Sequence, residues 1–455
     1  MRQFPKRRRP SIATWLLVGV LFVAIVAAHR GRLPGTPLAD PDVVAAQVRG
    51  LIQPKDLGIT HLEVAPRLVD VGSAEALASV VAATRLAGVQ MLTDADGENA
   101  IVSPSSLLMA LSMLAEGAEG ETLTELEHVI GAVGDERRDA VAALRGVSLS
   151  FDGDPALVQA DQLPAKPMMH LATQVVVDDE LILEPTYLEL LAEVYGAGLQ
   201  KTDLETTAGK RLLDNWVRYH SGGLIDQSSI MPGRDLRLVL QDAIVLAARW
   251  ETPFAESGTS SQPFILSGGK QVSIPMMVRL TESAYAEVAG WQAVRLPYVG
   301  GELHADFIIP PIGTDPATAT AELLGELDQA LATAKQIQVE LWVPKLDLQP
   351  EQPLNLLNSI AALGAPTVLT AAADLSGVGQ DVYGQPLYLA QANQQAILQV
   401  DEEGTRAAAI TEFGVLAGSM PPAPQHILRF DRPFAVVVAH TETSWPLFHA
   451  VVRNP

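Results

Sequence analysis

The sequence predicts an α+β fold for most of its 455 residues. Helical and strand-like patterns are interleaved along the chain without the regular rhythm of a parallel α/β protein. Hydrophobic residues make up 48% of the chain, which is enough to form a large core. The chain contains no cysteine, and this excludes disulfides, thiol nucleophiles and cysteine-ligated metal centres.

The amino-terminal segment differs in charge from the rest of the chain. Residues 1–32 hold seven basic side chains and no acidic one, which leaves 53 acidic against 24 basic side chains, a net charge of -29, for the remainder. Residues 12–28 are uncharged and apolar and would span about 25 Å as a helix. The flanking basic residues predict a cytoplasmic N-terminus and an exported body. Cleavage near Ala28, as in a signal peptide, stays as the alternative.

We therefore divide the chain into three parts. Residues 1–29 are predicted to be a cytosolic basic tail with a transmembrane signal-anchor, and residues 30–71 a Pro- and Gly-rich tether. Residues 72–455 form the folded body. If the anchor is retained, the body is held at the outer face of the membrane, and if it is cleaved, the body is secreted.

Helical patterns open the body. Apolar residues near helical spacing predict a helix over residues 73–92. Ser103 precedes Pro104, a pair typical of a helix N-cap and first turn, and the helix that follows is expected to end near Gly117. Residues 122–125 (TLTE) have the pattern of a capping box and predict the start of a further helix.

Strand patterns follow the helices. Residues 170–177 are apolar and rich in β-formers, and residues 337–343 alternate between apolar and polar side chains. Residues 434–439 and 447–452 are two apolar runs joined by a short polar segment. The last two runs predict a buried hairpin.

Common catalytic signatures are missing from the sequence. It lacks a nucleophile elbow, a zinc-protease helix motif, a phosphate-binding loop and a dinucleotide fingerprint. Its nine histidines are scattered singly rather than grouped as metal ligands. We expect a protein that is not an enzyme and that needs no metal and no cofactor. The acidic body also argues against nucleic-acid binding.

Residues 402–424 are the segment most informative about function. They follow a predicted strand at 396–400, are rich in small residues and end among prolines. The residues of one parity are small and then aromatic: Thr405, Ala407, Ala409, Thr411 and Phe413. The other parity carries both charges: Arg406, Ala408, Ile410 and Glu412. Such alternation is typical of a strand lying over a core, so the segment can be either an exposed loop or a central strand.

Seven ordered motifs between about residue 74 and residue 455 resemble those of the serpin family, the serine protease inhibitors. The resemblance is to a prokaryotic-looking member with an N-terminal membrane anchor. The motifs are NAIVSPSSLLMALSMLAEGAEG at 99–120, WETPF at 250–254, LPYVGGEL at 296–303, DLSG at 374–377, EEGTRAAA at 402–409, FDRPF at 430–434 and VVRNP at 451–455.

The resemblance implies three β-sheets, about nine helices and an exposed reactive-centre loop at 402–424. It also implies a suicide mechanism, in which a protease cleaves the loop, forms an acyl-enzyme, and is carried away as the loop hinge inserts into the main sheet. The hinge residues are Glu402, Glu403, Gly404, Thr405, Arg406, Ala407, Ala408 and Ala409. The three small alanines suit entry between packed strands. A non-inhibitory serpin, acting as a binding or folding-assistance module, is the alternative.

The resemblance also assigns residues to the shutter and breach of the main sheet: Ser103, Ser106, Asp242, Trp250 and Gln394. Gln394 stands where most inhibitory serpins have a histidine, and Asp242 where an asparagine is usual. The two side chains are able to hydrogen-bond to each other, and both are expected to belong to a buried polar network. Ile410 replaces a residue that is usually small.

The reactive bond is expected at Gly418–Ser419, by the family's spacing from Gly404. Counting back from Pro433 places it later, among the prolines. Leu416–Ala417 is an alternative, as is the bond after Met420, although a following proline blocks most serine proteases. No Lys or Arg lies between residues 413 and 424. The expected partner is an extracytoplasmic elastase-, subtilisin- or chymotrypsin-like protease, and the inhibitor is expected to be a monomer.

Overall fold

The computed structural model describes residues 64–95, 99–234, 236–350, 352–405 and 424–455. Eight α-helices lie in this part of the chain: α1 (Leu77–Asp94), α2 (Pro104–Ala115), α3 (Gly120–Ile130), α4 (Gly134–Ser150), α5 (Pro185–Leu190), α6 (Thr207–His220), α7 (Ala321–Thr333) and α8 (Leu357–Leu363). None of the helices in these ranges has the length and apolar character needed to cross a bilayer. The predicted anchor at 12–28 lies outside the described residues.

Nineteen strands lie in the described part of the chain, and they differ widely in length. They are β1 (Asn99–Val102), β2 (Met168–Val177), β3 (Leu181–Leu183), β4 (Gly198–Lys201), β5 (Leu238–Arg249), β6 (Ser260–Ile265), β7 (Gln271–Val288), β8 (Trp291–Pro297), β9 (Leu303–Ile309), β10 (Gln336–Pro344), β11 (Leu346–Leu348), β12 (Leu354–Asn355), β13 (Gly379–Asp381), β14 (Asn393–Gln394), β15 (Leu398–Val400), β16 (Gly404–Thr405), β17 (His426–Arg429), β18 (Phe434–His440) and β19 (Pro446–Val452).

A six-stranded sheet carries the candidate site. Its strand order is β11-β15-β16-β5-β2-β4. β2 and β5 pair antiparallel along ten residues each, from Met168 opposite Ala247 to Val177 opposite Leu238. The two-residue strand β16 lies between β15 and the end of β5, so the centre of the sheet is formed by chain segments that are distant in sequence.

A nine-stranded sheet forms the second large layer. It follows the order β1-β19-β18-β9-β8-β7-β10-β17, with β6 pairing to β7. β18 and β19 are almost entirely buried and pair antiparallel, which confirms the predicted hairpin. Two further sheets have two strands each, β12-β14 and β13-β3. Within the described residues, the expected α+β class with several sheets is confirmed.

Helix α2 is packed between the two large sheets. It contacts β5 of the six-stranded sheet and β19 of the nine-stranded one. Eleven of its residues are buried, with Ala110 half-buried, which agrees with a sequence that is apolar on every face. The start of α2, with Ser103 just before it, is therefore fixed beneath the six-stranded sheet.

The helix starts differ from the sequence predictions. α1 begins at Leu77 rather than at residue 73, because residues 71–73 form a separate 3-10 turn. Ser103 precedes α2 as predicted but makes no side-chain cap, because its hydroxyl hydrogen-bonds with those of Ser105 and Ser106.

The predicted capping box at 122–125 is wrong. α3 begins at Gly120, so Thr122 lies inside the helix. Its hydroxyl accepts a hydrogen bond from the backbone N–H of Asp374 at 2.9 Å. The Glu125 carboxylate accepts two bonds from Thr367, at 2.8 and 2.9 Å. These tertiary partners use the groups that a capping box would need.

Candidate functional site

The described part of the hinge, residues 402–405, is already paired with the sheet. Thr405 lies opposite Val400 of β15 on one side and Ala248 of β5 on the other. The Asp401 carboxylate accepts hydrogen bonds from the backbone N–H groups of Glu403 and Gly404, at 2.9 and 3.1 Å. This turn reverses the chain after β15 and directs it down between β15 and β5.

Gly404 is required by a close backbone approach. A Cβ atom at this position would lie 2.1 Å from the carbonyl oxygen of Ala248 and 2.7 Å from Leu163. No other residue fits without moving β5. The space between β15 and β5, which we call the slot, is too narrow here for a side chain, and this explains the glycine of the hinge motif.

Thr405 is held by an aromatic pair. Its hydroxyl lies 2.6 Å from the hydroxyl of Tyr298, and the residue is 3% exposed. The Tyr298 ring stacks on Trp250 at 4.6 Å, and burial raises the pKa of the phenol. Trp250 in turn donates from its indole N–H to the carbonyl of Asp401 at 3.1 Å. The Thr405 hydroxyl therefore has a neutral buried partner rather than a charged one.

Glu402 is fixed as a carboxylate beside the turn. Lys345 contacts it at 2.7 Å and the Thr259 hydroxyl donates to it at 2.6 Å. Burial opposes ionisation, but Lys345 and Thr259 outweigh burial and lower the pKa of Glu402. The backbone carbonyls of Glu402 and Glu403 accept from Phe254 and Trp250, both at 2.8 Å.

Below the hinge the sheet is open. β14, which holds Gln394, pairs with β12 instead of with β5. The space between the strands and helix α2 is a cavity of about 140 Å³, which we call the shutter cavity. Its lining includes Ser106, Leu111, Asp242 and Gln394.

The side chains of Gln394 and Asp242 do not hydrogen-bond to each other. The Gln394 amide instead bonds to the backbone of Ser103, accepting from its N–H at 2.7 Å and donating to its carbonyl at 2.9 Å. The direct hydrogen bond that the sequence allows between these two residues is therefore absent. The physical reason is that β14, which holds Gln394, does not pair with β5, which holds Asp242. The two side chains therefore lie on opposite sides of the opening.

Asp242 has no strong partner. Neither carboxylate oxygen is accessible to solvent or has a partner at hydrogen-bonding geometry, although the residue as a whole is half-buried. Burial raises the pKa of Asp242 to about 7, and the nearby Ser106 hydroxyl opposes this only in part. Such a group is costly in its ionised form, since no positively charged side chain in the described part of the chain compensates its charge.

One group of acidic and histidine side chains in the described ranges is close enough together to hold a metal: His304, Asp306 and Asp328. Arg295 occupies it, donating to Asp306 at 2.7 and 2.8 Å and to Asp328 at 2.6 Å. Burial opposes ionisation of Asp306, yet His304 and Arg295 lower its pKa to about 2. Asp306 and Asp328 thus form a buried ion-pair cluster with Arg295, whose guanidinium donates to both of their carboxylates.

The structure brings together some predicted site residues and does not describe others. Ser103, Ser106, Asp242 and Gln394 surround the shutter cavity, and Trp250 lies at the hinge. Outside the described residues lie the remaining hinge positions and all candidate reactive bonds: Arg406, Ala407, Ala408, Ala409, Leu416, Ala417, Gly418, Ser419 and Met420.

Three contacts of the hinge were missed by sequence reasoning. Tyr298 lies in the LPY motif, so its motif was recognised but its bond to Thr405 was not. Lys345 and Thr259 belong to no motif. They are more than 50 residues from Glu402, and nothing in the local pattern indicates that they meet it.

The comparisons with known proteins all identify the same family. The profile of the family described as "Serpin (serine protease inhibitor)" matches residues 83–455. Alpha-1-antichymotrypsin from Pongo abelii is 29% identical over 80% of this chain and 85% of its own length. Neuroserpin from Gallus gallus is 26% identical over 80% of this chain and 88% of its own.

Solved structures agree with these relatives. The native state of tengpin, a thermophilic serpin, has a TM-score of 0.73 at 20% identity, covering 87% of this chain and 100% of that one. Human glycosylated kallistatin has a TM-score of 0.68 at 26% identity, covering 84% of this chain and 98% of its own. Human thyroxine-binding globulin complexed with its hormone has a TM-score of 0.69 at 20% identity, covering 83% and 98%.

Proposed function

This chain belongs to the serpin family, and on that premise we propose that it inhibits a serine protease by the cleavage and insertion of its reactive-centre loop. Serpins target serine proteases in general and are mostly inhibitors rather than enzymes. The observation that carries the proposal is the position of the hinge. Gly404 and Thr405 already occupy the top of the slot between β15 and β5, and the slot continues as an opening below them.

Strand addition would satisfy the open edge of β5. On that side, within the described residues, β5 pairs only with Gly404 and Thr405. Each further backbone hydrogen bond adds about 1 kcal/mol of net stability. An inserted loop would therefore stabilise the cleaved protein, and this is the energy that removes the protease from its productive position.

The pairing of Thr405 also predicts the register of an inserted strand. Continuing it down the sheet would bring Ala407 opposite Leu246, and Thr411 opposite both Asp242 and Gln394. The residues expected to face the core are thus uncharged. The charged Arg406 and Glu412 would face solvent, because side chains alternate along a strand.

The target class follows from the loop sequence. We propose the reactive bond Gly418–Ser419, with Leu416–Ala417 as the second choice, and a protease of small or apolar specificity. The family's targets fit a body that acts outside the cytoplasm. We propose that residues 12–28 anchor the chain or direct its export, that residues 72–455 act as a monomer, and that they have no catalytic activity of their own.

The decisive experiment mixes residues 64–455 separately with elastase, subtilisin and chymotrypsin. We expect an SDS-resistant complex with at least one of them, and mass spectrometry of the released loop fragment then identifies the bond. Thr405→Arg is the matched control and should give cleavage without a complex. If the parent protein gives no resistant complex with any of the three, inhibition by this route is refuted.

A non-inhibitory role is favoured by one observation. Gln394 and Asp242 do not form a polar pair across the opening, and both differ from the residues usual in inhibitory serpins. A fold shared with thyroxine-binding globulin is compatible with such a role. This alternative predicts simple proteolysis of the loop and no rise in thermal stability afterwards, because no strand is added. Turnover of a small ester by the purified protein would instead indicate a hydrolase.

A further inference from the structure

The nine-stranded sheet exposes part of its outer face at its end strand, β17. This strand pairs with β10 so that Arg429 lies opposite Trp342. Ile427, two residues before Arg429, points to the same side. Leu341, which alternates with Trp342 along β10, is buried in the core, so Trp342 faces away from the core. Ile427 is 58% exposed and Arg429 is exposed as well, so an apolar side chain and a cation lie next to each other on the surface.

Arg429 is held by an aromatic ring rather than by an acid. Its guanidinium carbon lies 4.2 Å from the centre of the Trp342 ring. Glu340, on the same face, accepts a hydrogen bond from the Trp342 indole N–H at 2.8 Å and makes no ion pair with Arg429. Among the described residues Arg429 has this ring contact but no acidic partner. A guanidinium that stacks on a ring keeps its N–H groups free for a carboxylate, so Arg429 is available to a partner molecule.

Strand β7 extends this face with apolar side chains. Val278 lies opposite Trp342, and Leu280 is two residues further along the same face. Both are half-buried. Helix α7 covers the face further along β7, where Ala284 and Ala286 pack against it. Beyond α7, in the part of the chain that the structure describes, the apolar strip stays partly exposed. Aromatic and arginine side chains beside apolar ones are typical of protein interfaces.

The position of the reactive-centre loop selects the partner. The loop rejoins the described part of the chain at Pro424, and the backbone N–H of Gln425 bonds to the carbonyl of Gln338 in β10 at 2.8 Å. The chain from Ser419 to Gln425 spans at most about 20 Å. A folded protease of about 220 residues has a radius of gyration of about 17 Å. A protease that holds the proposed bond Gly418–Ser419 in its active site is therefore close enough to touch β17.

We propose that this face, which we call the sheet face and which consists of Val278, Leu280, Trp342, Ile427 and Arg429, binds the protease that attacks the loop. The Arg429 guanidinium pairs with a carboxylate of the protease, and Ile427 and Trp342 pack against an apolar side chain beside it. The contact lies on the side of the protease cleft that holds the residues after the reactive bond, because those residues lead into β17. The proposal rests on the proposed function in one respect, that a serine protease cleaves the loop; it does not need loop insertion.

The test measures kcat/KM for cleavage of the loop by elastase, subtilisin and chymotrypsin in a Thr405→Arg background, where the protease is expected to be released rather than trapped. With the protease that cleaves fastest, Arg429→Glu should lower kcat/KM by about tenfold or more, because a reversed charge in an interface slows encounter. Raised salt should reduce this difference. Ile427→Ser should lower kcat/KM by about threefold or more through lost apolar contact. The matched control is Arg211→Glu, a charge reversal at an exposed position of α6, which should leave the rate unchanged.

The outcomes separate the sheet face from inhibition. Equal rates for Arg429→Glu and its parent with all three proteases would overturn the proposal. A dimer of the parent that Arg429→Glu dissociates would also overturn it, since the face would then belong to a second copy of the chain. A loop that none of the proteases cleaves would refute both the sheet face and the proposed function. Cleavage without trapping in the chain that retains Thr405 would refute inhibition alone, because the cleavage rates still report on the sheet face.

Discussion

Two halves of the six-stranded sheet differ in how completely their polar groups are paired. We call the half around the hinge residues Glu402 and Thr405 the upper half, and the half around the shutter cavity the lower half. In the upper half, the side chains of Glu402 and Thr405 each have a close partner, and the slot between β15 and β5 is filled by Gly404 and Thr405. In the lower half no strand of the described part of the chain occupies the slot, and Asp242 lies beside it with no charged partner. One half of the same sheet is thus closed and satisfied, and the other is open and unsatisfied.

The difference shows where the free energy for a conformational change is held. Completing the upper half gains little, because its groups are already paired. Completing the lower half would pair the open edge of β5 and remove the cavity, and both changes stabilise the protein. The upper half therefore positions the incoming strand, while the lower half supplies the gain in stability.

Replacing Thr405 with arginine should have the largest effect on function. The side chain would have to enter a site beside Tyr298 that is 3% exposed, and burying an unpaired charge costs several kcal/mol. We expect the variant to be cleaved as a substrate, with its inhibition rate reduced by at least about 100-fold. The measurement is the stoichiometry of inhibition. Thr405→Ser keeps the hydroxyl and should retain inhibition; equal inhibition by the arginine variant would show that the slot is not used.

Asp242→Asn should stabilise the protein in a pH-dependent way. The carboxyl pKa is about 7 in the folded chain against an ordinary 3.8, so the folded protein binds a proton that the unfolded chain has released between those values. Stability of the parent therefore falls as pH rises from about 4 to about 7 and stays low above it. At pH 8, ionisation of this carboxyl lowers the free energy of unfolding of the parent protein by at most about 4 kcal/mol. Thermal midpoints should converge near pH 4 and separate at pH 8, whereas a constant difference would contradict a buried, unpaired carboxyl.

Tyr298→Phe tests the upper half by removing one hydrogen bond. The stack on Trp250 is retained, but the buried Thr405 hydroxyl loses its partner, which costs about 1–2 kcal/mol. We expect faster hydrogen exchange at the amides of residues 403–405. Combining the change with Thr405→Val should recover part of the loss, and an additive loss would show that the two hydroxyls do not interact.

Glu402→Gln should have the smallest effect. Lys345 is 40% exposed, so solvent weakens its attraction for Glu402, and we expect a loss below about 1 kcal/mol at low salt. The thermal midpoint of the parent should approach that of the variant as salt is raised. A loss that is independent of salt would point to the Thr259 hydrogen bond rather than to the ion pair.

The sequence was most informative where a feature is local. The hairpin of β18 and β19 and the alternation in β10 follow from the period of apolar residues, and the hinge follows from a motif. The contacts of Gln394 could not be predicted from the sequence. It bonds to Ser103, 291 residues away, and its position depends on the pairing of two strands that are only two residues long. The open slot could not be predicted either. A sequence pattern shows which strands are able to pair, but the free energy of the whole sheet decides which of them do.

Hydrogen exchange along β5, before and after proteolytic cleavage of the loop, tests the central claim most directly. The claim is that the lower half of the sheet receives the cleaved loop as a new strand. It predicts that alternate amides within residues 238–247, those whose N–H groups point away from β2 into the slot, become strongly protected on cleavage, while those at 248–249, already opposite Gly404 and Thr405, change little. Unchanged exchange throughout β5 after complete cleavage would contradict it.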